Sequence, residues 1–392
     1  MPNTILYLSY YFEPDLGAGS FRNTALVRKV SELMKADDRI LVLTTMPNRY
    51  ANINQAALEH EIIGNLEIRR ISVPRNSDSF LEQINSFLKY RKEVKKFTKG
   101  MKFDLVFASS SKLFTGYLAY RIASADKTKF YLDLRDIFAE NLKELIPRFG
   151  IGHILSFFVK TFFERPCIKY ATHLNLNSAG FINEFSYRDK ETISFFPNGI
   201  DDFFIGHKQS ATIQESPIVI TYAGNIGEGQ GLEKIIPPLA KKLGDKYLFK
   251  IIGSGSSVAK LQSEIDRLAL KNVIIYPPVV RKELLKFYQN SHYLFLHLND
   301  YKSFEKVIPS KVFEYAAFNI PILAGVAGFP AQFIQAEIKR NCFVFKPCDV
   351  DAIYTYLVTS HYDLAENTEF VEKFKRENIT TELAKSILHY LK

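Results

Sequence analysis

Three glycine-bearing stretches place backbone amides where an anion could be held. Gly17-Ala18-Gly19 precedes a helical pattern opening at Phe21. Gly224-Asn225-Ile226-Gly227-Glu228-Gly229-Gln230-Gly231 follows the apolar run Ile218–Ala223, and Gly253-Ser254-Gly255 follows Leu248–Ile252. N–H groups at a strand-to-helix turn, reinforced by the helix dipole, attract phosphate. No stretch reads G-x-x-x-x-G-K-[ST], which argues against an ATPase or kinase. Gly227, Gly229 and Gly231 miss the G-x-G-x-x-G spacing, which disfavours a nicotinamide-dependent dehydrogenase. Taken singly, each loop is equally explained by a tight turn that needs positive φ. A glycine loop opening each half of the chain favours a pair of anion-binding loops.

Carboxylates offer a second kind of chemistry. Asp136 ends the run Asp133-Leu134-Arg135-Asp136 and either faces a substrate or caps the turn that follows, whereas Asp133 falls inside the strand. Asp349-Val350-Asp351 has the D-x-D spacing that can hold a divalent cation through hard oxygen ligands. It stands directly before the helical pattern Ala352–Leu357, so the helix-cap reading dominates. His153, His173 and His292 are isolated, and there is no G-x-S-x-G elbow. Neither a metal nor any other cofactor is expected.

The elements that must position these groups alternate along the chain. Thr4–Tyr10, Arg39–Thr45, Leu66–Val73, Asp104–Ala108, Lys129–Leu134 and Thr172–Asn177 read as strands, several continuously apolar, as in parallel sheets covered on both faces. After the turn signal Pro197-Asn198-Gly199 the pattern restarts with Ile218–Ala223, Leu248–Ile252, Val273–Tyr276, Tyr293–Leu298, Ile320–Ala324 and Phe343–Phe345. Helical patterns lie between, among them Phe21–Met34 with Ser20 as its expected cap, Val258–Leu270 and Lys282–Gln289. Two successive series predict an α/β protein of two doubly wound, Rossmann-like domains, with ligands at the carboxyl ends of strands. We expect a first domain over 1–200, a second over 201–375 with the polar stretch Gly206–Pro217 as linker, and a C-terminal helix over 376–392 packing back on the first.

Composition narrows the partners. The chain has 392 residues, 47% of them hydrophobic, with three cysteines and no C-x-x-C pair, which excludes a disulfide framework and a structural zinc site. Lys and Arg number 51 against 42 Asp and Glu, a net charge of +9 that favours an anionic partner. No nucleic-acid motif accompanies that charge, so no nucleic-acid partner is expected. The N-terminus lacks a basic n-region and no apolar run reaches the ~20 residues of a span, so a cytoplasmic, soluble or peripheral protein is expected. Seven basic residues fall within Lys89–Lys102, and Phe149–Phe163 is apolar and aromatic. Each is ordinarily a solvated helix face and a core helix. Together they can seat a domain on an anionic leaflet.

Residues 303–325 read SFEKVIPSKVFEYAAFNIPILAG. With YAGNIGEGQGLEKI and FKIIGSGSSVAKLQSEI before it, this resembles the retaining family 4 glycosyltransferases of GT-B fold. FEPDLGAGSFRNTALVRKV, TTMPNRY and YLDLRDIF look like the branch serving bacterial surface polysaccharides, O-antigen or capsule. The resemblance implies a nucleotide-sugar site on the second domain, an acceptor site on the first, and chemistry in a cleft between them. By position it assigns Glu314 to the donor ribose and Lys311 to the diphosphate. It also assigns donor binding to Gly17, Ala18, Gly19, Gly224, Asn225, Gln230, Gly253, Arg281 and Ser310, and a catalytic role to Asp136 beside Lys311. Many relatives pair two glutamates eight apart. Here Lys306 stands eight before Glu314, so either Glu305 serves in the catalytic role with a one-residue shift or that role is missing. Glu228 and Gln230 stand where relatives carry Arg and Lys. The implied reaction moves a sugar from a nucleoside-diphosphate donor, UDP in the first instance, to a polyprenyl-diphosphate-linked saccharide at the inner leaflet, without metal. The alternatives are a nucleotide-sugar 2-epimerase of the same fold and a non-catalytic nucleotide-sugar or membrane-binding module.

Overall fold

The computed structural model describes residues 2–15, 17–47, 56–74, 80–110, 112–145, 151–209 and 217–391. The chain divides into two compact units, one of Met1–Asn198 with Glu377–Lys392 and one of Gly199–Arg376.

In the first unit the strands are β1 (Thr4–Leu8), β2 (Arg39–Thr45), β3 (His60–Ile63), β4 (Leu66–Ile71), β5 (Leu105–Ser109), β6 (Lys129–Leu134), β7 (His173–Leu176) and β8 (Ile193–Phe195). They form one sheet in the order β3-β4-β2-β1-β5-β6-β7-β8, and all pairs are parallel except β3 against β4. Its helices are α1 (Ala18–Leu33), α2 (Phe80–Thr98), α3 (Leu113–Ala125), α4 (Phe138–Leu145), α5 (Ile151–Val159) and α6 (Arg165–Tyr170), with a π turn at Lys160–Glu164 between the last two. β1, β5 and β6 are buried almost throughout because helices cover both faces. β3 and β8, neither foreseen from the sequence, are short edge strands without an apolar run.

The second unit carries β9 (Ile218–Asn225), β10 (Tyr247–Ser254), β11 (Val273–Tyr276), β12 (Tyr293–His297), β13 (Ile322–Gly325) and β14 (Cys342–Phe345). They make an all-parallel sheet ordered β11-β10-β9-β12-β13-β14. Its helices are α7 (Leu232–Leu243), α8 (Val258–Arg267), α9 (Arg281–Gln289), α10 (Lys311–Tyr315), α11 (Phe329–Glu337), α12 (Val350–Thr359) and α13 (Thr368–Lys373). The stretch Gly206–Pro217 lies within this unit, and its residues 210–216 fall outside the described ones. The last helix, α14 (Arg376–Leu388), sends Leu383, Ala384 and Ile387 into the core of the first unit beside Ile5, Tyr7, Leu26 and Val30.

One local expectation fails. α1 starts at Ala18, and Ser20 lies buried inside its first turn rather than capping a helix from Phe21. Gly17 takes the cap position in extended conformation and has no side chain to cap with.

Candidate functional site: glycine turns, a lysine and two arginines

Strand order decides which residues meet. In each sheet the winding reverses at one place, beside β1 in the first unit and beside β9 in the second, and ligands of open α/β sheets bind at such points. In the second unit the glycine loop leaves β9, and its neighbour β12 leads through a 3-10 turn, Lys302–Lys306, to α10. Lys311, the first residue of α10, therefore reaches the end of β9. A Cβ built on Gly224 would overlap its Nζ. Gly224 has φ +146, a region L-residues avoid, so backbone and space both require glycine. Gly253 pairs with Gly224 across β10 and β9, and a Cβ there would overlap the Gly224 carbonyl oxygen. The Lys311 ammonium also lies 5.4 Å from the Tyr222 ring centroid. Gln230 closes the loop, its Oε1 accepting from Asn225 Nδ2 at 2.8 Å and from the Gly227 amide at 3.2 Å. Glu228 pairs with Lys260 at 3.1 Å.

Glu314 stands one turn after Lys311 on the same face of α10. Burial pushes its carboxyl above the usual range, opposed by the charges of Lys311, Arg376 and Arg281. Tyr288 donates to its Oε2 at 3.4 Å. Arg376 and Arg281 share one acceptor, Asp201 Oδ2, at 2.5 and 2.7 Å. Burial alone would raise Asp201, and the two guanidinium groups hold it below its ordinary value. Arg281 additionally lies over Phe203 and Phe204, 4.8 and 5.2 Å from their centroids. Three cations thus gather around Glu314. Asp201, Arg376 and Tyr288 were not among the residues singled out from the sequence. Arg376 and Asp201 are 175 positions apart, and no local pattern links them.

Ser310 holds the N-cap of α10 without making a capping hydrogen bond. Glu305 is exposed on the 3-10 turn, its Cβ and backbone against Gly328. Asp349 caps α12 by accepting from Ala352 N at 2.9 Å, and Asp351 pairs with Lys242. Among the described residues no His, Cys, Asp and Glu form a metal-holding group.

In the first unit, Gly17, Ala18 and Gly19 open α1 after β1, and its first turn contains no acidic residue. Asp133 is fully buried in β6 and takes two bonds from Arg22, at 3.0 and 3.2 Å, one from Ser109 and one from Asn175. Burial would raise it, and Arg22 brings it below the ordinary aspartate value. Asp136, just beyond β6, lines a small cavity with Ser110, Leu132, Leu134, Glu164 and Cys167. Desolvation lifts its carboxyl to about 6 despite Arg135. His173 bonds Tyr390 and Ser194, and His292 accepts from the Val219 amide, so both serve the packing. His153 is exposed on α5.

Residues 205–381 match the family described as glycosyl transferases group 1. A colanic acid biosynthesis glycosyl transferase, WcaI, of Escherichia coli (strain K12) is 27% identical over 128 residues, a segment making up 30% of this chain and 31% of that protein. Sucrose-phosphate synthase from Thermosynechococcus elongatus superposes with a TM-score of 0.71 at 12% identity, covering 99% of this chain and 98% of that one. Anabaena HepE in complex with UDP-glucose does so at 0.66 and 15%, covering 98% and 99%. The chain has the GT-B fold, and its residues 205–381 match the group 1 glycosyl transferase family model.

Proposed function

We propose that the protein is a retaining glycosyltransferase that moves a sugar from a nucleoside-diphosphate donor, UDP-linked, to a polyprenyl-diphosphate-linked saccharide in surface-polysaccharide synthesis. The observation that carries this reading is the Lys311 ammonium lodged over Gly224 at the strand ends, with Glu314 one turn beyond. When a glycosidic bond to a diphosphate breaks, charge develops on the leaving oxygens, and a fixed ammonium beside open backbone stabilises it. Glu314 accepts from the ribose hydroxyls. Arg281 and Arg376 hold the surrounding field positive. Glu305 serves the sugar hydroxyls, and the first turn of α1 offers amides to the diphosphate. Asp136 takes the acceptor hydroxyl proton. No metal is required, because the lysine and amides supply the positive charge. The Escherichia coli relative, named for colanic acid biosynthesis, and the UDP-glucose complex of HepE support the polysaccharide and UDP parts.

A peripheral seat on the inner leaflet of the cytoplasmic membrane completes the proposal. Among the described residues no helix is long and apolar enough to cross a membrane. α5 and the π turn nevertheless expose Ile151, Ile154, Phe157, Phe158 and Phe162, with Lys160, Arg165 and Lys169 exposed beside them. α2 turns Lys89, Arg91, Lys92, Lys95 and Lys96 to solvent. Apolar rings flanked by basic side chains suit an anionic, lipid-bearing surface.

The test is release of UDP from UDP-glucose, with and without a polyprenyl-diphosphate-linked saccharide, in the presence and absence of EDTA. Acceptor-dependent, EDTA-insensitive release supports the transferase. Release that ignores the acceptor, or epimerised donor in its place, refutes it.

A further inference from the structure

The buried face of α5 runs Gly152, Ser156, Val159, steps of four and three residues. A regular helix would next bury residue 163. The π turn inserts one residue, and the buried face resumes at Glu164, followed by Cys167 and Ile168. The five-residue step thus brings the Glu164 carboxyl to the fully buried position, while the half-buried Phe163 ring packs on Phe114 and Tyr117. Insertions of this kind weaken the helix locally and cluster at functional sites. The carboxyl has a definite task. Glu164 Oε1 accepts from Ala139 N at 3.0 Å and the Phe138 amide also donates to it, so it caps α4, which starts two residues after Asp136. Glu164 and Asp136 line the same cavity.

We propose that Glu164 is the positioning residue for Asp136: its carboxyl, delivered by the π turn, pins the first turn of α4 and thereby fixes the loop that carries Asp136. The inference rests on the transferase reading only for what Asp136 does; the pinning itself is independent of it.

The groups around Glu164 give the latch a pH dependence. Desolvation dominates and lifts the carboxyl to about 7; the Ala139 and Phe138 amides and Lys160 oppose this, and Glu140 of α4 adds to it. Cys167 of α6 faces it as a thiol that burial and Glu164 itself keep protonated, and Asp136 stands across the cavity. A group whose buried value exceeds its solvated one favours the closed position at low pH. That preference is lost as pH rises from the solvated carboxylate range to about 7, so the latch loosens over that interval and changes no further above it.

Hydrogen exchange read by mass spectrometry on peptides spanning 137–145, corrected for intrinsic rates, tests the pinning in wild type, Glu164→Gln and Glu164→Ala between pH 5 and 8.5. Gln keeps an acceptor for Ala139 and does not titrate. The expected result is protection that falls between pH 5 and about 7 and levels off above that in wild type, stays constant in Glu164→Gln, and is at least tenfold lower at every pH in Glu164→Ala. UDP release from UDP-glucose with the lipid-linked acceptor should follow, with a loss of kcat over the same interval up to about pH 7 that Glu164→Gln removes. Wild-type protection in Glu164→Ala, or the same fall of protection toward pH 7 in Glu164→Gln, overturns the proposal. If wild type protects as expected but releases no UDP, the transferase reading fails and the pinning stands.

Discussion

At the scale of single residues, Lys311 and Gly224 form a pair that tolerates little. Lys311→Ala should lower kcat by ~10²-fold or more while leaving the fold intact, since a lost transition-state charge partner costs about that much. Near-wild-type turnover would remove the lysine from the diphosphate. Gly224→Ala is the complementary change, because the added methyl would overlap Nζ and sit at φ +146. We expect it to abolish the thermal shift that saturating UDP produces, about 2.7 kcal/mol at 100 times Kd. A retained shift would show that the donor does not approach Gly224. Asp136 predicts a pH effect of definite sign. With its carboxyl lifted to about 6, the basic form is present above that pH and disappears below it. Activity should fall on acidification through pH 6, and Asp136→Asn should be slow with no such limb.

At the scale of elements, the pair Arg22–Asp133 joins α1 to β6, and Arg22 also donates to the carbonyls of Phe196 and Pro197 at 2.7 Å. It ties the end of the first unit's chain to the sheet. Arg22→Leu would leave the Asp133 carboxylate buried without its partner, at a cost of ~3–5 kcal/mol. Denaturant unfolding that shows less than 1 kcal/mol would refute this. Because Asp133 is held below its ordinary value, the stabilisation is present at neutral pH and is lost as pH falls through the lowered value. The elements themselves were largely legible, since continuous apolar runs such as Leu105–Ser109 mark buried parallel strands. β3 and β8 escaped because a half-exposed edge strand of three or four residues has no such run. In the site, Gly224, Lys311 and Glu314 were each readable from local motifs. Their meeting depends on β12 lying beside β9, which no local pattern encodes. Glu164 was hidden for a related reason: the segment reads as a plain apolar helix, and only the extra residue of the π turn reveals which side chain faces in.

At the scale of the whole molecule, attachment to a membrane should depend on charge and rings together. Phe157→Ser with Phe158→Ser should abolish cosedimentation with vesicles containing anionic lipid, and 0.5 M salt should weaken it for wild type by screening the basic faces. Binding untouched by both changes would locate the contact elsewhere. The first unit also depends on a distant part of the chain, because Leu383 is buried in its core. Leu383→Ala should destabilise that unit by ~2–5 kcal/mol in denaturant unfolding, and a smaller loss would mean the helix is dispensable to it. That split core has a consequence for biosynthesis. The ribosome makes residues 1–198, then all of Gly199–Arg376, and only then α14. At 5–20 residues per second the gap is on the order of ten seconds or more. Throughout it the nascent first unit shows an apolar groove beside Ile5, Leu26 and Val30, a standing target for chaperones until its last helix emerges.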